Sequence, residues 1–345
     1  MAYSTILKPS DYFNTKLYTG NGSTNAITGV GFQPDFVWQK SRSAGEGHGL
    51  FDAVRGVTNR IQSNTDGANS SQAGSLTAFG SDGFTVGGSP NNDAANGNGQ
   101  TFVSWNWKAN GQGSSNTDGT INSTYTSVDT TSGFSIVQFT ASGSGGTVGH
   151  GLGVAPKVMI FKRLDAASDW PFYHEFVGNV NMLFLNTSTA ASNNSSILNS
   201  TSPTSSVFTV GSSNTVTGGD CIAYCFAEKT GFSKFGSYTG NNADDGTFVY
   251  TGFKPAWILT KRTDGNYKWL ISNNKSSPFN QVFKYVSAEY GDGQADGMAM
   301  DFLSNGFKLR DNDAQRNTIN PYIYMAFAES PFTANVDGGL PTTAR

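Results

Sequence analysis

Glutamate, histidine, cysteine and charge of either sign are scarce in this sequence, and each scarcity removes a class of protein. Five Glu stand against 20 Asp. Glu favours helix interiors and Asp favours turns and caps, so a mostly helical protein is excluded. Charged residues make up 14% of the 345 residues, against roughly a quarter in an average globular chain. With a net charge of −3 and no basic run, the chain lacks the footprint of sequence-independent nucleic-acid binding. No stretch approaches the roughly 18 consecutive apolar residues of a membrane-spanning helix. The start, MAYSTILKPSDYF, has neither the charged region nor the apolar stretch of a secretory signal. The two cysteines, Cys221 and Cys225, would lie about 13 Å apart along one strand. A disulfide needs about 4.4–6.8 Å between Cα atoms, so both read as small buried thiols.

Turn formers are abundant. The chain holds 42 Gly and 13% aromatics, with many Asn, Ser and Thr, the composition of short aromatic-rich strands between polar turns. The length alone suggests about two or three domains. Internal repetition makes that three copies of one unit. An aromatic before a small polar turn occurs as Tyr18 to Gly22, Phe139 to Gly143 and Tyr238 to Asn242. Apolar runs from proline to lysine follow: Pro34 to Lys40, Pro156 to Lys162 and Pro255 to Lys261, six residues each time. Then come GFTVG at Gly83, VFTVG at Val207 and GFKLR at Gly306, and the unit closes on FVSWNWKA, CIAYCFAE and YIYMAFAE. Phe139, Pro156 and Phe208 each stand 99 residues before Tyr238, Pro255 and Phe307. A period near 100 is too long for a solenoid or propeller and predicts tandem domains.

Each copy reads as β. The closing block alternates, with Val103, Trp105 and Trp107, then Ile222, Tyr224 and Phe226, then Ile323, Met325 and Phe327 on one apolar face. The proline-to-lysine blocks are apolar on both faces, as in a strand covered on both sides. The expected fold is all-β: three tandem β-sandwich domains of about 100 residues, jelly-roll or lectin-like. The boundaries are residues 1–112, 133–231 and 232–333, with a polar linker or connecting arm at 113–132 and a C-terminal tail at 334–345. One short stretch, Phe279 to Tyr290, has helical character.

Candidate chemistry is sparse. His48, His150 and His174 are the only histidines, and only His174 with Glu175 approaches a metal-site pattern, for which a structural role is the expectation. No phosphate loop and no nucleophile elbow is present. Asp292 and Asp296 in GDGQADG, with Asp311 and Asp313 in RDNDAQRN, are weak calcium candidates without the full loop pattern. No cofactor is expected. Trp38, Trp105, Trp107 and Trp257 fall at positions that are apolar in the other copies and read as core. Trp170, Tyr173, Tyr267 and Trp269 lie nearer to loops and are the candidates for an exposed contact surface. Lys40, Lys162 and Lys261 recur at strand ends, where pairing to a carboxylate or shielding of an edge is the expectation.

The motifs YTGN, GFQPDFVWQKSR, HGLFDAVRG, SDGFTVG, HGLGVAPKVMIFKR, WPFYHEF, GTFVYTGFKPAWILTKRTD and YIYMAFAESPF resemble a repeat found in virion proteins of tailed bacteriophages, chiefly of marine hosts such as cyanobacteria. The resemblance covers roughly residues 12 to 332. It implies a structural appendage, tail fibre or lectin-like, located on the virion and carrying no catalytic residues. The expected function is non-enzymatic, in host receptor recognition or adsorption, with capsid decoration or a head fibre as the alternative and a polysaccharide-degrading enzyme as the second. Expected partners are other virion proteins and host surface polysaccharide, without nucleic acid or membrane insertion, and a homo-oligomer, first a trimer.

Overall fold

The computed structural model describes residues 4–88 and 93–331. Residues 334–345, the expected tail, lie outside them. Almost all regular structure is β, and each copy is built on the same antiparallel order of four strands. In the first copy Phe13–Thr19 pairs with the closing strand Thr101–Trp107, which pairs with Phe36–Ser41, which pairs with Gly49–Asp52. The second copy repeats this with Phe134–Ala141, Gly219–Phe226, Val158–Arg163 and Pro171–His174. The third does so with Ser233–Thr239, Pro321–Pro331, Phe253–Arg262 and Leu270–Asn273. Register is shared as well: Phe36 faces Trp107, Val158 faces Phe226 and Trp257 faces Phe327.

Both faces of these sheets are buried. Odd-numbered side chains of Phe36–Ser41, such as Val37, point outward to a local core under a small second sheet, with Ile27, Phe51, Leu76, Phe84 and Val86. The second copy does the same with Phe139, Phe161 and Phe208; in the third, Ile258, Phe302 and Phe307 form the local core, and the covering strands are continuous with the first four in one eight-stranded sheet. Each copy is thus a small sandwich, as the composition predicts.

The inner faces meet one another. A single apolar cluster takes Phe36, Trp38, Trp105 and Trp107 from the first copy, Ile160, Tyr224 and Phe226 from the second, and Trp257, Leu259, Met325 and Phe327 from the third. Trp107, Phe226 and Phe327 occupy one equivalent position and form a triangle, with ring centroids 6.3, 6.0 and 5.6 Å apart. Those spacings are the edge-to-face contacts that stabilise aromatic pairs by about 0.5–1.5 kcal/mol beyond area burial. The triangle lies where a pseudo-threefold axis would pass. The copies therefore share a core rather than standing as beads on a string.

One open alternative resolves and one local expectation changes. Residues 113–132 are an ordered arm: Ser123–Asp129 pairs with Phe134–Ala141 and adds an edge strand to the second copy. The stretch from Phe279 to Tyr290 holds a strand, Val282–Ser287, because pairing on both sides outweighs a weak helical pattern in a segment without caps.

Candidate functional site

Of the four surface candidates, three are core residues. Trp170 and Trp269 are 0% and 1% exposed and Tyr173 is 3% exposed; Tyr267 is half-buried, with the Arg262 guanidinium 4.2 Å from its ring centre. Proximity to a loop misleads here because those loops fold over the junctions between copies. Trp170 and Trp269 each stand eight residues after the repeated lysine, and in the first copy that position is His48. The three are equivalent. Trp170 Nε1 donates to Thr65 O of the first copy at 2.9 Å. Trp269 Nε1 donates to Phe184 O and Thr187 O of the second, at 3.0 and 3.1 Å. His48 Nε2 lies 3.0 Å from Ser287 O of the third. Trp38 Nε1, a donor only, reaches His48 Nδ1 at 2.8 Å; Nδ1 is then the acceptor and Nε2 carries the proton that Ser287 O accepts.

The lysines close the same junctions. All three are fully buried, and they bind carbonyls rather than the expected carboxylate. Lys40 Nζ donates to Glu46 O at 2.7 Å and across the junction to Gly291 O at 3.0 Å. Lys162 Nζ donates to Ser168 O at 2.7 Å and across to Asp66 O at 2.8 Å. Lys261 Nζ donates to Arg262 O at 2.7 Å and across to Ser188 O at 3.2 Å. A main-chain bond of 2.8 Å completes each junction: Gln294 N to Arg42 O, Asn69 N to Leu164 O and Ala191 N to Thr263 O. The pattern runs cyclically, third copy to first, first to second, second to third. Burial pulls all three lysines down to about 8, and it holds His48 near 3, helped by the charge of Lys40.

The first junction carries further groups. Asp52, Arg55 and Tyr224 form a buried cluster: Arg55 Nε donates to Asp52 Oδ2 at 2.6 Å, and Tyr224 Oη, from the second copy, donates to the same oxygen at 2.7 Å. Above it a cleft of about 390 Å³ opens between Asn59, Asn69 and Gln112 of the first copy, Gln138, Asp165 and Asp220 of the second, and Tyr125 of the connecting arm. A second cleft, of about 480 Å³, lies between copies two and three beside Lys229, Lys234 and Tyr250. There Glu228 accepts from Lys157 at 3.2 Å and from Lys234 at 3.3 Å.

The calcium candidates are dispersed. Asp292 and Asp296 are exposed, Asp296 lying 3.7 Å from Lys284. Asp311 and Asp313 cap their own turn, accepting from Asp313 N and Gln315 N. Among the described residues no three His, Cys, Asp or Glu gather as a metal site, and no helix is long and apolar enough to cross a membrane. His174 is buried with Nε2 3.3 Å from Tyr324 O. Cys221 and Cys225 are buried free thiols, and burial pushes the Cys221 thiol up to about 12.

The family follows from the whole ring rather than from any one copy. The model of the domain of unknown function DUF7483 matches residues 8–331. The chain belongs to that family. No curated protein and no solved structure matches it. The DUF7483 match spans all three copies and both connections, so the family unit coincides with the closed ring.

Proposed function

We propose that this DUF7483 chain is a non-enzymatic external module of a tailed-phage particle, a tail fibre or similar appendage that engages the host surface. The observation that carries the reading is the ring itself. Three equivalent junctions, each pinned by a buried lysine and a buried ring N–H, hold the outer loops and clefts on one core. Such non-local β packing unfolds slowly, which suits a particle that persists outside a cell. The motif resemblance over residues 12 to 332 supplies the phage context.

The reading is tested by adding the purified chain to susceptible cells and then challenging them with phage. Adsorption of the chain and competition with the particle are expected; no adsorption at micromolar concentration defeats it. A second reading, capsid decoration, draws on the internal pseudo-threefold, which suits a seat at a local threefold point of a shell. Antibody label on the head rather than the tail would favour it.

A further inference from the structure

The place where the repeat departs from its own symmetry is the junction between the first and second copies. The connecting arm is the extra sequence there; Tyr125 within it and Gln112 immediately before it supply two walls of the 390 Å³ cleft. The backbone there is shaped for the purpose. Gln112 sits between Gly111 at φ +59° and Gly113 at φ +72°, and a Cβ on Gly113 would lie 2.0 Å from Thr126 O. Only glycine permits the arm to lie this close with Gln112 at the cleft. Tyr125 pairs with Gln138 across the edge ladder, and its ring packs partly against the central core. Its phenol is thereby held at a fixed place on the cleft wall.

The floor is closed to charge. Arg55 beneath the cleft is spent on Asp52, Asn59 O, Asn69 Oδ1 and Leu50 O, all within 3.0 Å. The walls offer amides, a phenol and two exposed carboxylates. Asp220 accepts from Thr140 Oγ1 at 2.6 Å through one oxygen, Oδ1. Asp165 is paired with Arg163 at 2.7 Å. Arg163 reaches both oxygens of Asp165, at 2.7 and 3.3 Å, so the net negative charge at the mouth rests on Asp220; the walls are otherwise rich in donors and acceptors, with one aromatic face. A hydroxyl-rich neutral ligand matches this: carboxylate and amide oxygens accept from vicinal hydroxyls, amide N–H groups donate to ring oxygens, and the tyrosine ring stacks on a sugar face. A carboxylated or phosphorylated sugar is repelled by Asp220, the cleft carboxylate outside the Arg163–Asp165 pair.

We infer that the cleft of Gln112, Tyr125, Gln138, Asp165 and Asp220 is a binding site for a neutral hexose-containing saccharide. This rests on the host-surface reading above and names the ligand class. The volume is in the range of small-molecule clefts, and the scaffold is preformed, so little ordering opposes binding.

The experiment is titration of the full chain with maltose, cellobiose, lactose and mannobiose at millimolar concentration, with galacturonate and glucose 6-phosphate as anionic arms, read by saturation-transfer NMR and calorimetry. At least one neutral disaccharide binds, and the anionic sugars do not. Gln138→Ala and Asp220→Asn weaken it by about tenfold each, the worth of one or two hydrogen bonds. Lys234→Ala, in the other cleft, leaves it unchanged. Circular dichroism melts confirm that the variants are folded. Absence of binding by all four neutral sugars, equal binding of the anionic ones, or retention of affinity in both cleft variants overturns the inference. Cell adsorption separates the two readings: if Gln138→Ala adsorbs as well as the parent chain, the cleft is wrong and the host-surface role stands. If the parent chain binds a neutral sugar yet never adsorbs, the reverse holds.

Discussion

The main-chain N–H of Trp269 points between the two carboxylate oxygens of Glu289, at 3.1 and 3.2 Å. In the other copies the same bond runs from His48 to Asn64 Oδ1 at 2.8 Å and from Trp170 to Asn186 Oδ1 at 2.9 Å. Two copies thus use a neutral amide where the third uses an acid, and burial raises the Glu289 carboxyl to about 7. A raised carboxyl contributes stability below its unfolded value, near 4.5, that is lost as pH rises through 7. Glu289→Gln keeps an acceptor and removes the titration. Its melting temperature should match the parent at pH 4.5 and exceed it at pH 8; equal melting at both would show that burial imposes no cost on Glu289.

Acid should act through the histidines. His48 and His174 are held near 3 and 4 by burial, below the ordinary value near 6.5. Lowered histidines contribute stability above 6.5 that is lost as pH falls toward 3–4, because the unfolded chain takes up protons that the fold refuses. Glu289 opposes this loss between 7 and 4.5. The expected result is a melting temperature that falls from pH 6.5 downward more steeply in Glu289→Gln than in the parent. A flat profile in that variant between 6.5 and 4 contradicts it.

Lys162→Met keeps the apolar stem and removes the donor to Asp66 O and Ser168 O. Ser168 O then loses the lysine bond, while Asp66 O keeps only the bond from Ser168 N at 2.8 Å, which should cost about 1 kcal/mol. Lys8→Ala, an exposed pair with Asp11, should change stability by less than about 0.5 kcal/mol. Urea melts of both variants make the comparison, and equal effects would show that the lysine pins are not energetic contacts.

At the first junction, Tyr224→Phe removes one donor from Asp52 and should cost about 1–2 kcal/mol. Asp52→Ala strands the buried Arg55 and should cost about 3–5 kcal/mol. The double variant should cost less than the sum, because the tyrosine bond has already gone with Asp52. Additive effects would mean that the cluster is not coupled across the junction.

Residues 133–231 produced alone should fail to fold as a monomer. Their inner face, with Phe134, Ile136, Ile160, Phe172, Tyr224 and Phe226, is buried against the other two copies. Size-exclusion and circular dichroism would test it; a monomer with a cooperative melt would mean that the local core suffices.

The strands were legible from the repeat because alternation and turn signals recur three times, and the inner face of the closing strand was visible as Val103, Trp105 and Trp107. The all-β sandwich class followed from the same pattern. What alternation cannot say is what covers a face. The proline-to-lysine runs, apolar on both sides, carried a hint that each sheet has two covers, and the second cover is the other copies. Trp170 and Trp269 were misplaced because His48 breaks the aromatic series; the constant spacing of eight after the lysine was the available signal. The cleft at the arm was not legible, since Gln112, Gln138 and Asp220 come from segments that pairing alone brings together.

The ring has one seam. Peptide bonds carry the chain from the first copy to the second and from the second to the third, whereas the third meets the first only through contacts such as Phe13 on Phe327, with ring centres 5.0 Å apart, and Lys40 on Gly291. Tension along the chain would load that seam first, so the lysine pin at Lys40 acts as the latch of a clasp whose other two hinges are covalent.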